Sequence, residues 1–344
     1  MNEQPNISTA LDRSKNSVLY WIWYGILSFV TFTVAIFTEP TRYADLDTYV
    51  YYLDSLVHFP SESSIYFELF SNSYLLTSYW LTKSVLSAVV LAHYFLSVIF
   101  VAFLATIFPS NRSPWTALVF TFAILGPLLA FVTMRATPAY FLVAIGVRYA
   151  MDRRPSAWLF LIAASLFHIS SLLAALPIAI LYFEPYLPVI LRAKKSSRFY
   201  IVTIAMIFAI GGVLPQISGA VTTLIQSIPL VSKYDVYTDI NSSPTQIGHY
   251  IFLAFVTMLT ILFLTIKDDE SDRLSVFVLA SFAIYILLFF SSSPVAAFRQ
   301  APFWLMAMIA AVPWDKLKIK NSTAVIFIFG CSGLFIFQFT QIYF

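Results

Sequence analysis

The sequence contains a single cysteine, Cys331, so no internal disulfide can form. It has nine glycines, and none are gathered into the Gly-rich turn that cradles a nucleotide phosphate. No set of His, Cys, Asp and Glu has metal-ligand spacing, and only 11% of the residues are charged. These shortages leave no disulfide scaffold, no nucleotide-sugar site, no metal site and no reason to expect a nucleic-acid partner. Apolar residues are abundant instead: 60% of the chain is hydrophobic and the mean hydropathy is +0.82. Apolar runs this long and numerous read as an all-α polytopic membrane protein.

The runs fall at about Ser17–Phe37, Ser84–Phe108, Trp115–Thr133, Pro138–Ala150, Ser156–Phe167, Ser170–Phe183, Phe199–Leu214, Tyr250–Ile266, Leu274–Phe290, Pro302–Pro313 and Thr323–Tyr343. This predicts about 11 transmembrane or half-length helices within one integral membrane domain over residues 1–344. The first run is long for a signal-peptide core, and Glu39-Pro40 follows it instead of a small-residue cleavage site, so it reads as a retained anchor. With a cytoplasmic amino terminus and one passage per run, most of the 20 Lys and Arg face the cytoplasm. Among them are Arg153-Arg154, the RAKKSSR stretch, and Lys316, Lys318 and Lys320. Joining Ser156 to Phe183 into one helix would invert everything downstream and put the majority outside. The region therefore reads as a hairpin of half-length helices with His168 at its tip.

Two arginines stand in otherwise apolar stretches with the same spacing to a proline: Arg135 before Pro138, and Arg299 before Pro302. At about 1.5 Å per residue, the short runs after them lift each arginine about 18–20 Å above the cytoplasmic edge of a core about 30 Å thick. His168 rises by a similar amount. Three hairpin tips are thus expected at one depth, and Pro138 and Pro302 suit the first turns of the helices that leave them. Broken helices ending near the midplane present N–H groups and positive dipole ends to anions. A planar guanidinium grips phosphate oxygens bidentately, which points to a phosphorylated ligand held by Arg135 and Arg299. Against this stand a snorkelling arginine, or one paired structurally with a carboxylate, and for His168 a histidine bonded to a neighbouring helix.

Two external loops complete the picture. The first, residues 38–83, is acidic and rich in tyrosine, and its second half reads as an amphipathic interfacial helix with Phe67, Phe70, Leu75 and Tyr79 towards lipid. The second, residues 215–249, carries SKYDVYTDINSSP. Tyrosines beside carboxylates suit carbohydrate, though an aromatic belt at the interface uses the same residues.

Several short motifs then occur in order: Asp47 with Tyr51, Phe67-Glu68, the MRATPAY of Arg135, the FHISSL of His168, KYDVY from Lys233, and FRQ at Arg299-Gln300. In this the chain resembles the EpsG-like and Wzy-type bacterial polysaccharide polymerases, although Ala136 stands where those proteins often have Gln after the first arginine. The resemblance implies a GT-C-like, metal-independent and cofactor-free glycosyltransferase in the bacterial inner membrane, with its active site facing the periplasm or exterior. It would move a growing glycan from an undecaprenyl-pyrophosphate carrier to the non-reducing end of a lipid-linked repeat unit. A chain-length regulator and a flippase are the partners implied, besides membrane lipid. On this reading Arg135 and Arg299 bind the pyrophosphate, and His168, or Asp47, is the general base. Arg42, Tyr51, Glu68, Lys233, Tyr234, Tyr237 and Gln300 contact substrate. A lipid-linked oligosaccharide flippase or transporter, or an O-antigen ligase-type transferase, would share the cationic site.

The topology carries its own test. In a Cys331→Ser background, Ser64→Cys and Asn241→Cys should react with a membrane-impermeant thiol reagent in intact cells, and Ser196→Cys should not. Labelling of Ser196→Cys alone would overturn the assignment.

Overall fold

The computed structural model describes residues 7–42, 45–58, 68–110, 114–183, 197–217, 247–265, 271–291, 294–312 and 314. Phe67, Lys233, Tyr234, Tyr237 and the last apolar run, with Cys331, lie outside them. The described residues form helices α1 (Ile7–Phe37), α2 (Leu46–His58), α3 (Leu69–Thr82), α4 (Val85–Ile107), α5 (Trp115–Phe131), α6 (Ala136–Met151), α7 (Ala157–Phe167), α8 (Ala175–Phe183), α9 (Ser197–Ile217), α10 (Ile247–Thr265), α11 (Ser271–Ser291) and α12 (Pro294–Ala311). Two 3-10 turns, Pro40–Arg42 and Ile169–Ala174, join them, and no strand occurs among the described residues.

Among the described residues, four segments are long and apolar enough to cross a membrane: Ser17–Phe37, Val85–Ile107, Ile247–Leu264 and Arg273–Phe290. Trp115–Phe131, Ala157–Phe167, Ile169–Phe183 and Phe199–Val213 are shorter apolar helices. The chain is a multi-pass, all-helical membrane protein. The break expected at His168 is present and reverses the chain, because Trp158 of α7 and Tyr182 of α8 stack 5.8 Å apart. The Tyr182 hydroxyl also donates to the Arg154 carbonyl.

The chain folds as two compact units, one of Met1–Phe141 with Leu166–His168 and Pro313–Phe344, the other of Leu142–Ser165 with Ile169–Val312. In the first, Leu46, Tyr49, Leu53 and Leu56 recur at helical spacing and give α2 one apolar stripe. The stripe packs with Leu75 of α3 and with Ala88, Val89, Ala92 and Leu96 of α4. The small side chains of Ala88 and Ala92 let neighbouring backbones approach closely, and the Tyr74 hydroxyl reaches across to the Ala92 carbonyl. On the other side α1 lies against α4 and α5, tied by Tyr24 donating to the Val101 carbonyl at 3.1 Å and by Trp23 stacked on Trp115 at 5.6 Å.

Two expectations require correction. The apolar face of α3 is built from Leu69, Phe70, Leu76, Trp80 and Leu81, which are exposed. Leu75 is fully buried in the core, because it shares a helical face with Ser71, Asn72 and Ser78, all buried against α4 and the chain beside them. The helix beginning at Pro302 does not exist either. α12 starts at Pro294 and runs through Pro302, so Arg299 lies inside a helix and not before one. Proline there removes one backbone hydrogen bond, but nearly every side chain from Gln300 to Val312 is buried, and that packing holds the helix together.

The second unit centres on α11, which touches α8, α9, α10 and α12. Its approach to α9 is set by Gly211, where an added Cβ would stand 2.5 Å from Cγ2 of Ile286, while one at the next residue, Gly212, would meet nothing within 4 Å. Gly211→Ala should therefore cost about 1–3 kcal/mol through overpacking. Gly212→Ala should be neutral or stabilising by up to about 1 kcal/mol, since alanine favours helix. Unfolding of the two variants in detergent micelles checks the contrast.

Candidate functional site

The residues immediately before α3, before α6 and before the 3-10 turn Ile169–Ala174 are Glu68, Arg135 and His168. These three side chains meet in the first unit. One carboxylate oxygen of Glu68 lies 2.9 Å from Nη1 of Arg135, and the other lies 2.9 Å from Nδ1 of His168. The Glu68 side chain is 3% exposed, against 21% for Arg135 and 18% for His168, so the carboxylate is the interior partner and the two basic groups open towards the surface.

Local sequence explains each position. Glu68 occupies the N-cap of α3 but its carboxylate makes no cap hydrogen bond, and its carbonyl accepts from the Asn72 N–H at 2.9 Å. The side chain is thereby left for other partners, beside a helix end whose dipole favours negative charge. Arg135 is bracketed by two threonines that satisfy the carbonyls freed where α5 stops. The Thr133 hydroxyl donates to Leu128 at 3.1 Å, and the Thr137 hydroxyl donates to Leu129 at 2.8 Å. Pro138 falls in the first turn of α6, as expected. His168 follows the last residue of α7, whose carbonyl, that of Phe167, accepts from the Ser71 hydroxyl at 2.6 Å. The Phe167 ring packs edge-on against Phe70 at 5.2 Å.

α2 supplies the wall. The Arg135 guanidinium carbon stands 4.5 Å from the Tyr52 ring centre and 5.7 Å from that of Tyr49. The Tyr52 hydroxyl donates to Oδ1 of Asn72 at 2.6 Å, which locks the ring under the guanidinium. Burial works against the charge on Arg135, but the Glu68 carboxylate, with the two phenols, more than offsets it and raises the group above the ordinary arginine range. Burial also raises both phenols, against the opposing pull of Arg135, so they stay protonated.

Chemically, this is a cation with a carboxylate counter-ion and an imidazole oriented by the same carboxylate. With Nδ1–H donated to Glu68, the lone pair of the imidazole is on Nε2, the arrangement that prepares a histidine to take a proton. Arg135 meets Glu68 through Nη1, and its Nε makes no hydrogen bond among the described residues.

The other expected residues are placed as follows. Asp47 and Tyr51, one turn apart on α2, are exposed, and Asp47 makes no ion pair among the described residues. Arg42 is exposed and pairs with Glu39 at 3.5 Å. Arg299, exposed, and Gln300, buried, belong to α12 in the second unit. The structure thus brings Arg135, His168 and Glu68 together, with Glu68 joining the two basic residues. Tyr49, Tyr52 and Asn72 are not singled out by the sequence motifs. A signal exists for Tyr49, the one aromatic in the Leu46, Leu53, Leu56 stripe, whereas Asn72 is recognisable only once α3 is placed.

The EpsG family profile matches residues 21–344, nearly the whole chain. The chain belongs to the EpsG family. This is a family of Wzy-like polysaccharide polymerase-type membrane proteins, and its match takes in α2 to α12 and every residue of the cluster. Comparison with the curated proteins and with the solved structures finds no match. As an EpsG-family member the chain is a membrane protein of polysaccharide biosynthesis, of a glycosyltransferase-like polymerase type.

Removing the carboxylate tests the electrostatics. Glu68→Ala strands a guanidinium in a protein-lined site and should cost about 3–5 kcal/mol. Adding Arg135→Ala should recover more than half of that, because the stranded charge goes with it. Unfolding of the single and double variants in detergent gives both numbers.

Proposed function

We propose that this chain is a polysaccharide polymerase that uses a polyprenyl-pyrophosphate-linked glycan as donor and a lipid-linked repeat unit as acceptor, at the outer face of the inner membrane. The observation that carries the reading is Glu68 holding Arg135 and His168, each at 2.9 Å, where three helices begin. In the reaction, a hydroxyl oxygen at the non-reducing end of the acceptor bonds to the anomeric carbon of the donor glycan. The bond from that carbon to the pyrophosphate breaks, and the leaving group keeps the electron pair. The hydroxyl proton passes to Nε2 of His168, which Glu68 keeps in the correct tautomer.

Arg135 meets the charge that develops on the departing pyrophosphate. A guanidinium backed by the starts of α3 and α6 supplies fixed positive potential without a metal ion. Tyr52, fixed by Asn72, keeps the guanidinium placed for that role. Asp47 ranks second to His168 as the base, because the imidazole has an orienting partner and Asp47 has none among the described residues.

Purified protein in liposomes, given only a synthetic polyprenyl-pyrophosphate oligosaccharide, should lengthen the glycan by whole repeat units. Movement of lipid across the bilayer without new glycosidic bonds would sink the polymerase in favour of a flippase. His168→Gln should lower the rate by about 10²–10⁴-fold. Arg135→Lys keeps the charge but loses the planar fork and should lower the rate at least about 10-fold, whereas full activity would remove Arg135 from the reaction. Arg299→Lys tests the second arginine separately: an equal fall enlists it, and an unchanged rate dismisses it.

A further inference from the structure

We propose that Glu68 couples donor binding to the base: when the donor's pyrophosphate takes Arg135, Glu68 releases the guanidinium and more of its negative charge falls on His168. This rests on the reading that Arg135 receives the pyrophosphate and His168 the proton. It assigns Glu68, first taken from its motif as a substrate contact, as a positioning and charge-sharing residue.

The geometry leads here in three steps. A carboxylate has two oxygens, and those of Glu68 are divided, one to Arg135 and the other to His168, at the same 2.9 Å. Whatever happens to one partner is therefore felt by the other through a single delocalised charge. Next, Arg135 is held by its carboxylate through Nη1, while its Nε has no hydrogen bond among the described residues. Exchanging a one-point contact for a two-point grip on a more highly charged pyrophosphate is favourable for a planar guanidinium. Last, Glu68 is almost wholly buried, so water does not screen the change. The Tyr49 and Tyr52 phenols on α2 also face the guanidinium, and burial keeps them neutral. Glu68, in contact with both Arg135 and His168, carries the charge that links them.

In the resting protein Arg135 neutralises Glu68, and the imidazole neighbours a nearly balanced pair. With pyrophosphate on Arg135, the imidazole neighbours a carboxylate that has lost its arginine and a bound anion, and both favour its protonated form. His168 becomes the stronger proton acceptor only when a donor is in place. An acceptor hydroxyl, or water, reaching an empty site meets a weaker base, which protects against idle chemistry.

The experiment uses the full chain, purified in detergent with ¹⁵N-labelled histidine. There are only four histidines, and the His168 signals are those lost in His168→Gln. The titration midpoint of His168 is read by NMR with and without farnesyl pyrophosphate, a short soluble polyprenyl pyrophosphate. Saturation should raise the midpoint by at least about one pH unit, a tenfold gain in proton affinity. In Glu68→Gln the rise should fall to less than half. An undiminished rise there would show the ligand's own charge acting directly and would overturn the hand-over, as would no rise in the parent protein. Arg135→Gln provides a second route that needs no ligand: Glu68 then belongs to His168 from the start, and the midpoint should already be high. An unchanged midpoint in that variant overturns the proposal. If farnesyl pyrophosphate binds equally well to Arg135→Gln, the reading of Arg135 as the pyrophosphate site fails, and the hand-over fails with it. Binding that depends on Arg135 without any midpoint shift removes the hand-over alone.

Discussion

The first unit depends on one buried carboxylate having to satisfy two oxygens. A carboxylate as enclosed as Glu68 is costly without partners for both. Those partners come from chain segments distant in sequence, Arg135 after α5 and His168 after α7. α3, the α5 to α6 turn and the end of α7 must therefore arrive together. The rest of the neighbourhood reads as support for that meeting. Tyr52 and Asn72 fix the guanidinium from below, and Ser71 and Phe70 fix the peptide before His168.

Breaking helices in a membrane protein exposes backbone groups that lipid cannot satisfy. The chain meets this with short hydroxyl side chains placed at the breaks. Thr133 and Thr137 cover carbonyls at the end of α5, and Ser71 covers the last carbonyl of α7. The MRATPAY motif thus combines two jobs. Its threonine, with Thr133 just before it, closes one helix, its proline starts the next, and the arginine between them is left pointing at Glu68.

Much of this architecture is legible in the sequence, and the failures have physical causes. Among the described residues the apolar runs other than Pro302–Pro313 fall on helices, because length and hydrophobicity dominate what can span a bilayer. The reversal at His168 follows from charge placement, which punishes the alternative of one long helix. Arg135 was legible as a buried cation, and pairing with a carboxylate, one of the roles open to it, is present alongside its place in the cluster. Arg299 resists the same logic. Its proline has the same spacing, but dense packing carries α12 through Pro302, so two like motifs take unlike backbones. On α2 the motif highlights Asp47 and Tyr51, which are exposed, while the tyrosines that touch the guanidinium are those turned to the core. A motif of fixed spacing identifies a helix without saying which of its faces does the chemistry. Glu68 is marked by its motif as a substrate contact, but its role as the partner of two bases is not legible, because pairing across 67 and 100 residues leaves no local trace.

The charge balance of the cluster shows why a histidine belongs in it. Arginine and glutamate alone form a neutral, self-satisfied pair, and such a pair has little reason to accept an anion. Adding a neutral imidazole leaves the total at zero but gives the site a way to respond. A pyrophosphate joined to lipid on one side and sugar on the other brings two negative charges into a space lined by protein. The proton that His168 takes from the acceptor hydroxyl as the glycosidic bond forms then halves the imbalance. An ion pair of fixed charge would resist the donor, whereas one sharing its carboxylate with a titratable ring turns the donor's own charge to the use of the reaction.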